Sequence, residues 1–411
     1  MKKHSQEWIW RIKILLTVIL CMGIAAWQNI EVYGNSEENQ KQQETEEEGA
    51  GDAKNLSQDE TEITEELLEE VDLSDVQKML DELFGKDSFS MKEALIKLTR
   101  GERAFSKEAL QEFVYRSLFY RVEQEKELFV KLLLLILLSA AFAGFAEVFE
   151  NNQIADISFV VVYLLVFAIL MDSFSKMSSS LEKTIGWMTE LMKGLAPAYY
   201  MTVCVASGTA SATVFYEGVL ILVWGIQWLL LTVLLPMAGM YVLLQLVNAL
   251  SKEDILEKMA ELLNTAVSWG LKTLLAAVVG LQIVRNLVAP VMDSMKRGLL
   301  GKAAGALPGV GNAVNMVTEL VVTSAVLIRN CLGVVILVVF VLAGIGSILH
   351  YGLLSLSYRL LAAVSQPISD RRMVRALDAM GEGCALLLRL LFTAEVLCML
   401  AFLVLMAGIQ N

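Results

Sequence analysis

Histidine is nearly absent from this chain. Only His4 and His350 occur in 411 residues, and no HExxH pair is present, which closes off the commonest zinc chemistry. The five cysteines, Cys21, Cys204, Cys331, Cys384 and Cys398, lie in or at the ends of apolar segments. With no CxxC and no metal-ligand spacing, they read as small hydrophobes within helices. No serine sits in a GxSxG elbow, and neither histidine is placed to serve one. Asp172 and Asp293 are single carboxylates at the ends of apolar runs, whereas an intramembrane aspartyl protease needs a juxtaposed pair. A basic patch with interleaved aromatics is also missing, which argues against nucleic acid as a partner. No enzymatic activity, cofactor or metal is expected.

Apolar residues, by contrast, are in excess. They make up 56% of the chain and the mean hydropathy is +0.57, more than a soluble core of this length needs, so lipid must take the remainder. The net charge of -12 comes from one stretch. Residues 36–75 carry 16 Asp and Glu against two bases, Lys41 and Lys54, which leaves the rest of the chain slightly basic.

Lys2, Lys3, Arg11 and Lys13 precede an apolar run from Ile14 to Ala26. That is the length of a signal-peptide core and short of the roughly 20 residues that cross a bilayer. Residues 1–34 are therefore read as a secretory signal, with an uncleaved anchor as the alternative. Residues 35–72, rich in Glu, Gln, Asn and Ser, cannot bury enough surface to offset the entropy of ordering and should form an acidic tether. Residues 73–130 carry apolar positions at helical spacing, among them Leu73, Val76, Leu80, Leu110, Phe113 and Leu118. They predict extracytoplasmic amphipathic helices, with nothing to choose between packing on each other, on a partner or on the membrane.

Residues 131–411 predict an all-α, polytopic membrane domain of about eight spans. Spans one (132–149) and two (154–174) form a tight hairpin. Residues 176–193 look too charged to cross and should lie at the interface on one apolar stripe. Span three (197–215) is made of small residues, with Gly208 and Ala212 at spacing four, and suits close helix contact. The run 218–250 contains Pro236 and Gly239 and reads as one kinked span, or else as two half-spans. A second amphipathic stretch follows from Ser251. Spans five (271–289), six (313–328), seven (331–354) and eight (384–407) complete the count. If the residues after the signal are outside, eight spans put both basic loops, Lys296–Lys302 and Arg371–Arg375, in the cytoplasm.

Four ionisable residues fall inside predicted spans: Arg285, Glu319, Arg389 and Glu395. Charges at such depth are costly and face a bundle interior or water, although Arg285 and Arg389 lie near enough to span ends to reach the headgroups. Structural pairing, an aqueous lining and ion coupling all remain open for them. The series Gly301, Gly305 and Gly309 is not a phosphate loop. Gly301-Lys302 is followed by Ala303, and Lys296 stands where the Walker pattern needs glycine, so close helix packing is the better account.

The order of features is more specific than any one of them. A signal, an acidic tether, the run Met171-Asp172-Ser173-Phe174, the small-residue span and Pro308-Gly309-Val310-Gly311-Asn312-Ala313-Val314 together resemble the stage III sporulation protein AE family of endospore-forming bacteria, from about residue 75 onward. The resemblance implies a multi-pass subunit in the mother-cell membrane facing the forespore. It would belong to a secretion-like channel complex whose ATPase and ring-forming proteins are other chains, with self-association possible in principle. It implies no catalytic residues. The competing reading is a stand-alone secondary transporter, favoured by the Pro236 break and the intramembrane charges.

Overall fold

The computed structural model describes residues 74–84, 90–100, 126–141, 152–207, 209–251, 255–300 and 311–407. The signal, the tether and the stretch around Gly301, Gly305 and Gly309 lie outside the described residues, as does Gly208. All regular structure among the described residues is helical: α1 (Ser74–Phe84), α2 (Met91–Thr99), α3 (126–141), α4 (Asn152–Ser207), α5 (Thr209–Leu229), α6 (Leu235–Leu250), α7 (Glu257–Leu300), α8 (Gly311–Ser365) and α9 (Arg371–Ala407).

Among the described residues, five helical stretches are long and apolar enough to cross a membrane: Ile157–Leu195, Leu220–Leu250, Glu257–Leu281, Asn330–Ser365 and Arg371–Leu403. The eight-span division cuts helices that the structure shows whole. α8 has 55 residues and runs through Arg329 and Asn330, joining predicted spans six and seven. α9 begins at Arg371, so the polar stretch before predicted span eight is its first third. α4 has 56 residues and passes straight through 176–193. The expected interfacial stripe there, Leu181, Ile185, Met188, Leu191 and Met192, is buried in the protein core rather than laid on lipid. In each case the sequence suggests a boundary at charged residues, but a charge need not interrupt a helix whose inner face is packed.

The run around Pro236 is one continuous helical stretch. A π segment, Leu230–Leu234, sits between α5 and α6, and the Leu235 N–H donates to the Leu230 carbonyl. Proline supplies no N–H and crowds the carbonyl four residues back. Widening the turn just before Pro236 relieves that crowding without breaking the rod. The bulge also turns Leu234 onto Gly270 of α7.

α9 is the axis of the bundle and packs against α4, α5, α6, α7 and α8, most extensively α8. Short turns join the antiparallel pairs. Between α6 and α7 the buried Asn248 caps the turn, its Oδ1 accepting from the Leu256 N–H at 2.9 Å. Between α8 and α9, Asp370 is the N-cap, its Oδ1 accepting from the Arg372 N–H at 2.8 Å. α1 packs on α4 and α2 on α8. Ser90 and Glu93 form the start of α2, where the Gln77 side chain of α1 accepts the Met91 N–H at 2.9 Å.

Cross-helix contacts fix the levels of these rods. Phe129 of α3 and Ser173 of α4 both meet Tyr358 of α8, and Tyr351 donates to the Met177 carbonyl. Arg372 at the start of α9 lies over the Phe159 ring, and Tyr163 donates to the Leu246 carbonyl near the end of α6. The start of α3, the α6–α7 turn and the α8–α9 turn therefore share one end of the bundle. α7 leaves that end and runs 44 residues, about 66 Å at 1.5 Å per residue, so Lys296 and Arg297 stand at the other end. The expectation that both basic segments share one side is corrected: Arg371–Arg375 and Lys296–Arg297 lie at opposite ends.

Candidate functional site

Two places combine polar groups with unusually close helix approach. The first is the sequence Gly381-Glu382-Gly383 in α9, where three helices converge. Ser355 of α8 donates to the Gly381 carbonyl at 2.8 Å. A Cβ on Gly381 would meet the Arg359 side chain at 2.9 Å and the Ser355 carbonyl at 3.2 Å. Gly383 is closed in by Val242 of α6 and by Phe174 of α4, whose ring lies 3.2 Å from where a Cβ would stand. Between them Glu382 accepts a hydrogen bond from the buried Tyr241 hydroxyl. Next in the chain, Cys384 meets Met177 of α4, sulfur to sulfur, at 3.7 Å. The two glycines let α9 sink between α4, α6 and α8, and Glu382 and Ser355 supply polar bonds at the seam.

The second place is deeper along α9. Glu395 is 5% exposed, faces α8, and its Oε2 makes no hydrogen bond. Its carboxyl rests directly on Gly344, where an added Cβ would coincide with it. Ala343 and Ser347 beside Gly344 are also buried, so the α8 surface is a strip of small residues at this contact.

Of the sequence candidates, Glu395 is thus an interior group. Arg389 of the same helix is exposed: six residues at 100° each turn it well away from the Glu395 face. Arg285 lies in α7, Glu319 in α8 and Ala212 in the first turn of α5, and their side chains are outside the described residues. The structure brings none of the candidate pairs together among the described side chains. The Gly-Glu-Gly saddle was missed because it falls in a stretch read as polar connector. The signal that could have found it is two glycines flanking a carboxylate immediately before an apolar run.

Outside the apolar zone, Asp370 is the ionisable group best fixed by geometry. Partial burial works against its charge, but the Arg372 guanidinium and backbone N–H outweigh that and hold its carboxyl below the ordinary aspartate range. Among the described residues no group of three His, Cys, Asp or Glu side chains is arranged to hold a metal ion.

The comparisons with known proteins agree with one another. The family model for stage III sporulation protein AE matches residues 89–408. The stage III sporulation protein AE of Bacillus subtilis (strain 168) is 22% identical over 380 residues, covering 92% of this chain and 91% of that protein. No solved structure matches.

Proposed function

The chain belongs to the stage III sporulation protein AE family, and from that premise we propose that it is a non-enzymatic membrane subunit of the channel complex linking mother cell and forespore. It scaffolds or lines the conduit, while an ATPase and ring-forming proteins are separate chains.

The observation that carries this reading is the height of the bundle. α4 and α8 have 56 and 55 residues, about 80 Å each, against roughly 30 Å of hydrocarbon. Such rods stand well clear of one face of a bilayer and offer surface to other subunits. The most apolar parts are also staggered. The start of α4 is level with the polar α8–α9 turn, whereas the apolar run of α9 begins only at Cys384. The positive-inside rule applied to Lys296 and Arg297 puts the far end of α7 in the mother-cell cytoplasm. The α8–α9 turn, with the start of α3, then faces the forespore side.

The π segment before Pro236 favours a second reading, a stand-alone transporter with a broken helix at a substrate site. Against it, the break is filled: Leu230 and Leu234 are buried and Leu234 seats on Gly270. The test is affinity purification of a functional tagged copy from sporulating cells held at the engulfed stage, with crosslinking and mass spectrometry. Recovery of the sporulation ATPase and ring subunits is the expected result. A monodisperse protein without them, able to move a solute when reconstituted alone, would replace this reading with the transporter.

A further inference from the structure

Glu395 has a position that the scaffold reading does not use. The apolar run of α9 extends from Cys384 to Ala407, and Glu395 falls at its middle, roughly 17 Å from either end at 1.5 Å per residue. That is about half the thickness of a bilayer's hydrocarbon. The side chain is turned into the protein against Gly344, and its Oε2 has no hydrogen-bond partner.

Among the described residues no charged side chain acts on it from α4, α5, α7 or α8, and its titratable neighbour is Cys398, one turn along its own helix. A carboxylate anion in such a place has no countercharge and no solvation, a situation that proteins avoid by pairing the group or by neutralising it. A metal cation would need several oxygen ligands, and among the described residues no group of three His, Cys, Asp or Glu is arranged to hold one. A proton needs no other ligand. Gly344 makes room for the acid: with no Cβ there, the flat carboxyl lies on the α8 backbone, where alanine would expel it.

We infer that Glu395 is a proton-binding site within the membrane, held as the neutral acid at the α8–α9 contact by the space over Gly344. The ligand is a proton and the site is dry. The binding of that proton is coupled to helix packing, because an ionised Glu395 would have to leave the contact for water or a cation. The inference rests on α8 and α9 lying in lipid and is independent of which partners the protein assembles with.

The test is covalent probing of the full-length protein in detergent with lipid-soluble dicyclohexylcarbodiimide and, separately, with the water-soluble ethyl(dimethylaminopropyl)carbodiimide. A neutral acid gives its proton to a carbodiimide nitrogen while a carboxyl oxygen bonds to the central carbon. The O-acylisourea then rearranges to a stable N-acylurea, located by peptide mass spectrometry. The expected result is modification of Glu395 by the lipid-soluble reagent alone, lost completely in Glu395→Gln. That variant, which replaces a neutral acid with a neutral amide of the same shape, is expected to unfold at the same temperature as the unaltered protein. Modification by the water-soluble reagent to the same extent would show a wet site and overturn the inference. So would failure of the lipid-soluble reagent to modify Glu395, or a lowered unfolding temperature for Glu395→Gln, the mark of a lost ion pair. Failure of either kind leaves the copurification result untouched.

Discussion

Replacing Gly383 with alanine tests the close approach at the saddle most directly, because two effects of opposite sign are both worked from the structure. Alanine is favoured over glycine in a helix interior by about 1 kcal/mol. At Gly383, however, the new Cβ would overlap Val242 and approach the Phe174 ring to 3.2 Å. Both residues are in the buried core, and valine is stiff about χ1, so α6 or α4 must move. Overpacking of this kind costs roughly 1–3 kcal/mol, which offsets the propensity gain and leaves a net loss of up to about 2 kcal/mol. Gly352 of α8 is the control, since nothing lies within 4 Å of a Cβ there, and Gly352→Ala should gain about 0.5–1 kcal/mol. Gly270 is intermediate: its obstruction, at 2.8 Å, is the end of the flexible Leu234 side chain. Denaturant titration of the three alanine variants in mixed micelles should rank Gly352→Ala above Gly270→Ala above Gly383→Ala. If Gly383→Ala is as stable as Gly352→Ala, the helices do not meet at the saddle and the packing argument fails.

Three further expectations follow from particular contacts. Tyr241→Phe removes the hydroxyl bound to Glu382 and should cost about 1–3 kcal/mol, as when a buried hydrogen-bonding group loses its partner, measured by the same titration; an unchanged midpoint would count against the contact. Asp370 should make stability sensitive to acid. Its carboxyl is held below its ordinary value, so its contribution is complete above the unfolded value near pH 4 and is lost as pH falls through the lower folded value. Asp370→Asn should therefore flatten the acid limb of a stability-against-pH curve, and an identical limb in both proteins would remove Asp370 from the account. For sidedness, Ser369→Cys and Lys296→Cys in a background lacking the native cysteines should label with impermeant maleimide from opposite faces of oriented membranes. Labelling from one face would restore the placement of both basic segments on a single side.

The helical, membrane-spanning character of the chain was legible because it depends on summed hydropathy and periodicity, which are properties of long windows. Boundaries were not. Lys176 was read as ending a span, but it pairs with Asp172 one turn away at 2.6 Å on the exposed face of α4, while Met177 beside it is buried against α8 and α9. Arg329 and Asn330 were read as a break inside what is one helix. Linear hydropathy averages over both faces of a helix and so cannot tell an amphipathic continuation from a stop. Joining predicted spans six and seven in one helix also changes the parity of the count on which the expected sidedness rests. Glu395 was picked out from its setting in an apolar run, a signal that needs no boundary. The Gly381 and Gly383 saddle needed the third dimension, because only the arrival of Val242, Phe174 and Ser355 gives those glycines meaning.

The central place of α9 has a consequence for how the protein is made. It follows α4 to α8 in the chain, yet it is the one on which they all pack. Until it arrives, the faces that will meet Leu387, Leu390, Leu391 and Leu397, each 0% exposed in the finished fold, have no partner. Earlier helices can insert one by one, but the bundle cannot close around its axis until α9 has been made. Premature termination anywhere before Arg371 should yield an inserted chain with no assembled centre, a substrate for membrane proteases rather than a shortened subunit.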